Sequence, residues 1–414
     1  SLTRIIETSI ITNTTKYQAV IFVDVDNFKF INDTYGHDIG DLVIHATGNK
    51  LKVFESHKLN IGRFGGDEFL IFLNNVEDKN EVVDFLEALK EAFKNPVMVE
   101  EKKFYLTISM GVALYPEHGI SRNELIKKAD MALYRSKDTG KNKYTFYDAI
   151  FDVDLEQKIV LQNTVKDALI NDEFYLNYQP YVEAATGRLV GYEALIRWFS
   201  PILGQVAPYD LITVAEELGL IVEIGDWIIE EALLFIKKVN ESRADKLVIS
   251  INISAVQLMS KDFTERLMDI TKAVGVSPKV ICLEMTESVL IDTHTRSVND
   301  LRMLKTLGFG IALDDFGTGY SSLSYFKELP VTVLKIDKSF IDELPSSEFN
   351  KELIKVMVAI AHSKGINVTA EGVETFNQLE ILRSLNCDTI QGYYFSKALD
   401  PTTAANYPDL NPLK

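Results

Sequence analysis

Polar side chains able to bind metal or phosphate stand one at a time at the ends of short, β-branched apolar runs through the later part of this 414-residue chain. YLNYQP carries Gln179, LVGYEALIRW carries Glu193 and Arg197, and LVISINIS carries Asn252. VICLEMTE brings Glu284 and Glu287, FGIALDDFG brings Asp314 and Asp315, and VTVLKID brings Lys335. INVTAEG adds Glu371 and DTIQGYYF adds Gln391. A single acid in such a place is ordinarily a carboxylate satisfied by a neighbour. A ring of them reads as a metal site. The loop Asp315-Phe316-Gly317-Thr318-Gly319 follows two of the acids, and its glycines allow movement.

A second group of acids lies near the start. AVIFVDVDNF places Asp24 and Asp26 two residues apart, on one side of a strand. IGRFGGDEFLIFL reads as a hairpin whose turn holds Gly65, Gly66, Asp67 and Glu68. Lys29, Lys137 and Lys141 offer positive charge for phosphates. By themselves these residues read either as an ordinary acidic turn or as a clamp for two cations on a triphosphate.

The later runs, eight strands mostly separated by helix-like stretches, predict a closed (β/α)8 barrel of the TIM type over 157–406, with its site at one mouth. Residues 1–147 carry hairpins instead. Strands are expected over 17–26, 59–73 and 103–114, and helices over 41–54, 81–93 and 122–137. That rhythm predicts an α+β fold, an antiparallel sheet covered by helices. The acidic, weakly apolar stretch 148–156 is expected to be a linker, and 407–414 a tail.

Composition narrows the field. With 46% hydrophobic residues the chain can bury two cores. The net charge of −17 argues against a nucleic-acid polymer as partner, which needs a basic surface. Residues 1–147 hold 21 acidic against 19 basic groups, so almost all the excess lies in the barrel half. Two cysteines, Cys282 and Cys387, make no disulfide framework and fit a reducing compartment. No run has the length of a membrane span. Because the chain starts at Ser1 without an initiator methionine, it is read as a piece of a longer protein, with an upstream sensor or anchor expected. The piece itself is expected in the cytoplasm, and the full-length protein has room for a membrane anchor.

DVDNFKFINDTYGHDIGD, RFGGDEF, ISMGVALYP and ADMALYRSKDTGKNKY closely resemble the GGDEF family of diguanylate cyclases across most of residues 16–147. The resemblance implies that Asp24, the carbonyl of Val25 and Asp67 hold two metals, and that Asn32 and Asp41 recognise guanine. Glu68 would activate the 3′-hydroxyl or support the metal, and Lys29, Lys137 and Lys141 would hold the triphosphate of GTP. Each active site of that family forms between two domains, so a homodimer is implied. Three departures stand out. The family's opening run survives only as Leu2-Thr3, Lys141 replaces a frequent arginine, and Ser56-His57-Lys58-Leu59 replaces the product-inhibition motif Arg-x-x-Asp.

YEALIRW, INIS, LEMTES, DDFGTGYSSL, LKIDKSFI, AEGVE and QGYYFSK resemble the EAL family of cyclic di-GMP phosphodiesterases along nearly all of residues 160–400. Two Mg²⁺ or Mn²⁺ ions are then implied on Glu193, Asn252, Glu284, Asp314, Asp315 and Glu371, with Glu193 and Glu371 among the catalytic groups. Lys335 would orient the attacking water. Gln179, Arg197 and Gln391 would fix the substrate, and Glu287 would hold the glycine-rich loop. Ala398 replaces a usual proline. The expected activity is hydrolysis of cyclic di-GMP to linear diguanylate, with synthesis by the first domain left open. The alternative is a receptor that binds cyclic di-GMP without cleaving it. Such receptors usually lose the EAL, DDFGTG or late glutamate motifs, and this chain keeps all three.

Overall fold

The computed structural model describes residues 2–12, 17–286, 296–317 and 329–408. It divides into two units, Ser1–Lys158 and Ile159–Lys414. The first contains α1 (Leu2–Thr12), β1 (Tyr17–Val25), α2 (Phe28–Tyr35), α3 (His37–Lys52), β2 (Leu59–Gly65), β3 (Glu68–Val76) and α4 (Lys79–Phe93). There follow β4 (Val97–Val99), β5 (Lys102–Phe104), β6 (Ile108–Tyr115), α5 (Arg122–Asp138), β7 (Tyr144–Phe146) and the start of α6 (Ile150–Ala168).

Every residue of β1 after the first is buried, because helices cover both faces of the sheet. Alternation divides its side chains between two cores. Ile21 and Val23 pack with Val43, Ile44, Val82 and Leu86 of α3 and α4. Val20 and Phe22 pack with Ile6 and Ile10 of α1 and with Leu125, Ala129 and Leu133 of α5. Asp24 has the parity of the second set, which turns it toward α5. At Gly111 of β6 an added Cβ would lie 2.0 Å from the Ala129 carbonyl oxygen, so α5 sits directly on the sheet.

The sheet order is β2-β3-β1-β6-β7. Four strands are antiparallel, as the hairpins predict, while β7 pairs parallel with β6 after the crossover through α5. The stretch expected to be a linker, 148–156, is helical from Ile150 onward. Asp148 accepts a hydrogen bond from the Ile150 N–H and caps a helix running on to Ala168. Tyr147 packs with Met131 and Ala132 of α5, and Phe151 against them, which holds the first turn in place.

The second unit holds β8 (Phe174–Glu183), β9 (Leu189–Ser200), β10 (Gly204–Val206), α7 (Pro208–Glu217), α8 (Ile221–Asn240), β11 (Val248–Asn252), α9 (Ala255–Met259) and α10 (Phe263–Val274). It continues with β12 (Ile281–Thr286), β13 (Gly310–Phe316), β14 (Val333–Ile336), β15 (Asn367–Ala370) and β16 (Thr389–Gln391). Eight strands close in the order β8-β9-β11-β12-β13-β14-β15-β16, and β10 adds a hairpin outside.

The barrel has one irregularity. β8 runs antiparallel to both β9 and β16, while the other seven are parallel. A short turn at 184–188 makes β8 and β9 a hairpin, so no helix separates them. Consequently Gln179 lies mid-strand, directly opposite Glu193, which itself is the fifth residue of β9.

Candidate functional site

The barrel mouth is organised around one lysine. Lys335 on β14 is 1% exposed, and its Nζ lies 2.6 Å from Glu284 Oε2 and 2.6 Å from Glu371 Oε1. Asp314 Oδ2 is 3.4 Å away and Glu193 Oε2 is 3.9 Å away. Amides complete the network. Asn252 Nδ2 donates to Glu193 Oε1 at 2.7 Å, and Gln391 Nε2 donates to Glu193 Oε2 at 2.6 Å and to Gln179 Oε1 at 3.3 Å. Residues from seven strands thus meet at one point.

Adjacent acids Asp314 and Asp315 reach the same region through a backbone irregularity. The pairing of β13 with β14 shifts between Leu313 and Phe316, and Asp315 adopts a left-handed φ of 54°. Oxygens of Asp314, Asp315 and Glu371 then all lie within 4.8 Å of one another.

Electrostatics set the demand for cations. Burial opposes the charge of Lys335, yet the four carboxylates hold its ammonium well above the ordinary lysine range. Burial pushes Glu371 up to about 8, only partly countered by Lys335. Glu284 is also raised well above the carboxylate range, by burial and by Glu193 and Asp314. Burial acts on Glu193 too, but Lys335 and the hydrogen bonds from Gln391 and Asn252 hold its carboxyl low. Among the described residues five carboxyl groups face a single ammonium, more than it can neutralise once they ionise, which suits hard cations with oxygen ligands. The donor set, carboxylates with an amide, fits a hard divalent cation by its chemistry.

Not every expected residue joins this network. The Arg197 guanidinium donates to the Ile196 carbonyl at 2.8 Å, within its own strand. Glu287 and Thr318-Gly319 lie outside the described residues. The cavity of about 260 Å³ at the mouth is also lined by Lys338, Glu374 and Tyr393, which strand-end reasoning did not single out. Lys338 was nonetheless visible, one residue past the end of VTVLKID.

In the first unit the acids are held differently. Asp24 Oδ2 meets Lys137 Nζ at 2.7 Å. Burial pushes Asp24 up to about 6 against the pull of Lys137, with Asp67 and Asp26 adding to the rise. Glu68 stands opposite Asp24 in register and is raised by burial, then by Asp130. Asp130 was missed, although it lies two helical turns before Lys137 on the same face of α5.

Asp26, expected to share the face of Asp24, has a structural task. It accepts from Thr107 Oγ1 at 2.7 Å, Ser109 Oγ at 2.6 Å and the Asn142 N–H at 3.1 Å. Lys141 Nζ donates to Asn27 Oδ1 at 2.7 Å, and Lys29 is exposed on α2. Asn32 Oδ1 lies against Gly40, where an added Cβ would be 1.8 Å away, next to exposed Asp41. Val25 ends β1 beside the acids.

An acid-bearing sheet unit followed by a barrel with a lysine-centred carboxylate mouth is the architecture of a tandem GGDEF–EAL protein. The profile "Diguanylate cyclase, GGDEF domain" matches residues 2–143, and "EAL domain" matches residues 162–398. The chain belongs to the GGDEF–EAL family, its two domains in that order. It is 37% identical over 383 residues to the signaling protein YkoW of Bacillus subtilis, covering 92% of this chain and 48% of that protein. It is 34% identical over 381 residues to the bifunctional diguanylate cyclase/cyclic di-GMP phosphodiesterase MucR of Pseudomonas aeruginosa, covering 92% and 56%. The solved structure described as PaMucR phosphodiesterase in complex with c-di-GMP is 34% identical with a TM-score of 0.57, covering 59% of this chain and 99% of that one. The chain spans about half the length of the curated relatives it matches. Domains of both families generally use divalent metals, and Asp314, Asp315 and Glu371 form such an acidic cluster. Among the described residues no helix is long and apolar enough to cross a membrane.

Proposed function

We propose that the barrel hydrolyses cyclic di-GMP to linear diguanylate and that the first unit binds GTP. The observation that carries this reading is the buried Lys335 ammonium set within 3.9 Å of four carboxylates. Such an arrangement supports a site built for cations and a phosphate ester rather than for packing, since buried charge is otherwise costly. Glu193, Asn252, Glu284, Asp314, Asp315 and Glu371 would hold two Mg²⁺ or Mn²⁺ ions, which when bound supply charge stabilisation and a more acidic water.

The chain's own residues have separate tasks. Lys335 orients the attacking water by donating to its oxygen, and Glu371 and Glu193 fix the charge around it. Gln179 and Gln391, hydrogen-bonded to each other, present amide groups to substrate, and Arg197 offers a planar fork for phosphate. Water adds to one phosphorus, the bond to the 3′-oxygen breaks, and the ring opens.

In the first unit Asp24, the Val25 carbonyl and Asp67 would hold metal, Glu68 would support the 3′-hydroxyl or the metal, and Asn32 and Asp41 would read guanine. Lys29, Lys137 and Lys141 would bind the triphosphate. Synthesis of cyclic di-GMP there requires a second copy of the domain, hence a homodimer. The division into 1–147, a connecting segment 148–156, 157–406 and a tail 407–414 belongs to the same proposal.

Glu193→Ala tests the reading. The parent protein should yield linear diguanylate by mass spectrometry, and the variant should lose hydrolysis while its affinity for cyclic di-GMP changes little. A parent that binds cyclic di-GMP with no product over hours would make the barrel a receptor.

A further inference from the structure

The cavity at the barrel mouth is acidic, with Glu193, Asp314, Glu371 and Glu374 in its lining. A cyclic dinucleotide carries two phosphodiester charges on opposite sides of its ring. One meets the metal-binding acids, and the other needs a cation of its own in this cavity.

Among the described residues the lining cations are Lys335 and Lys338. Lys335 is buried and held by four carboxylates. Lys338 begins the short helix Lys338–Asp342, just past β14, and its side chain is 47% exposed. Its stem lies across the backbone of Gly372, next to Glu371. An added Cβ there would be 2.4 Å from Lys338 Cγ, and the φ of 66° also favours glycine. Its Nζ pairs with Glu374, with Asp342 Oδ1 4.0 Å away. Exposed Tyr393 lines the same rim.

The barrel order adds a geometric argument. Three strands separate β14 from β9, which carries Arg197, in either direction around the ring. Lys338 and Arg197 therefore belong to opposite sides of the mouth, as the two phosphodiesters belong to opposite sides of the substrate. Glu374 holds the lysine at the rim, and its half-exposed side chain lets the ammonium turn inward.

We propose that Lys338 is a substrate-binding residue that meets the phosphodiester not being cleaved, so that it selects for cyclic dinucleotides over simple diesters. This rests on the hydrolase reading above. The test compares parent, Lys338→Gln and Lys338→Arg on cyclic di-GMP and on bis(p-nitrophenyl) phosphate, a diester with a single phosphorus. Lys338→Gln should raise KM for cyclic di-GMP about tenfold, the weight of one charge-assisted contact at a half-exposed position, with kcat within about twofold. The ratio of kcat/KM for cyclic di-GMP to that for the simple diester should fall about tenfold, and Lys338→Arg should restore most of it. An unchanged KM, or an equal loss on both substrates, would overturn the assignment. If the parent cleaves no cyclic di-GMP, the hydrolase reading has failed instead. Calorimetric Kd values then decide on Lys338, where about tenfold weaker binding supports it and equal binding overturns it.

Discussion

The two acid-bearing sites of this chain solve the same electrostatic problem in opposite ways. At the barrel mouth the strands converge, and four of them, β9, β12, β13 and β15, bring the acids around one buried ammonium. In the first unit the acids sit at the end of the sheet, where buried Asp24 meets a lysine that is 37% exposed. Closure of the barrel gathers its described acids around one point. The sheet site has a single wall, so its chemistry depends on what is brought to it. Enclosure also raises the stakes: Lys335 lost from the barrel strands its partners in low dielectric, while half-exposed Lys137 lost from the sheet is replaced by water.

That contrast can be broken most forcefully at the two lysines. Lys335→Met leaves buried carboxylates unpaired and should cost about 3–5 kcal/mol of second-unit stability in metal-free buffer. The matching Lys137→Met should cost under about 1 kcal/mol, because its ion pair is partly solvated. Urea unfolding of both variants reads the difference, and equal losses would undo the comparison. A smaller effect is expected at Asp26, the one acid of the sheet site that is fully engaged by donors. Asp26→Ala strands Thr107 Oγ1, Ser109 Oγ and the Asn142 N–H, and about 2–3 kcal/mol should be lost from the first unit.

Its neighbour should respond with the opposite sign. Asp24 is raised from 3.8 to about 6 in the folded protein, so its ionisation is less favourable folded than unfolded. The penalty is absent below about pH 4, grows as pH rises toward 6, and is complete above it. Asp24→Asn should therefore raise the melting temperature of metal-free protein at pH 7, and the gain should vanish near pH 4. A variant that melts lower than the parent at pH 7 would mean that the Lys137 pair outweighs burial.

Much of the barrel site was legible because strand and function share one pattern. Short β-branched runs ending in Asn252, Lys335 or Gln391 signal both a buried parallel strand and a polar group at its end. What escaped the sequence is direction. Alternation in YLNYQPYVE fits a strand running either way, and only the short connection 184–188 hints at the hairpin that sets Gln179 opposite Glu193. The bulge that turns Asp315 toward Asp314 was also hidden, since no glycine marks its left-handed φ. In the first unit, residues on one strand face separated into different roles. Asp24 and Asp26 look equivalent by spacing, but Thr107 and Ser109, at the start of the neighbouring strand, claim Asp26. The helix around Val165 was legible, but its start at Ile150 was not, because the first turns are anchored by Tyr147 and Phe151 against α5, contacts that local periodicity does not carry.

The most direct measurement is the metal dependence of cyclic di-GMP cleavage by the intact chain. Protein stripped with a chelator should produce no linear diguanylate, and adding Mg²⁺ or Mn²⁺ should restore it in the parent but not in Glu193→Ala. Cleavage that persists without metal, or a fully loaded protein that binds the nucleotide and never cuts it, would contradict the account.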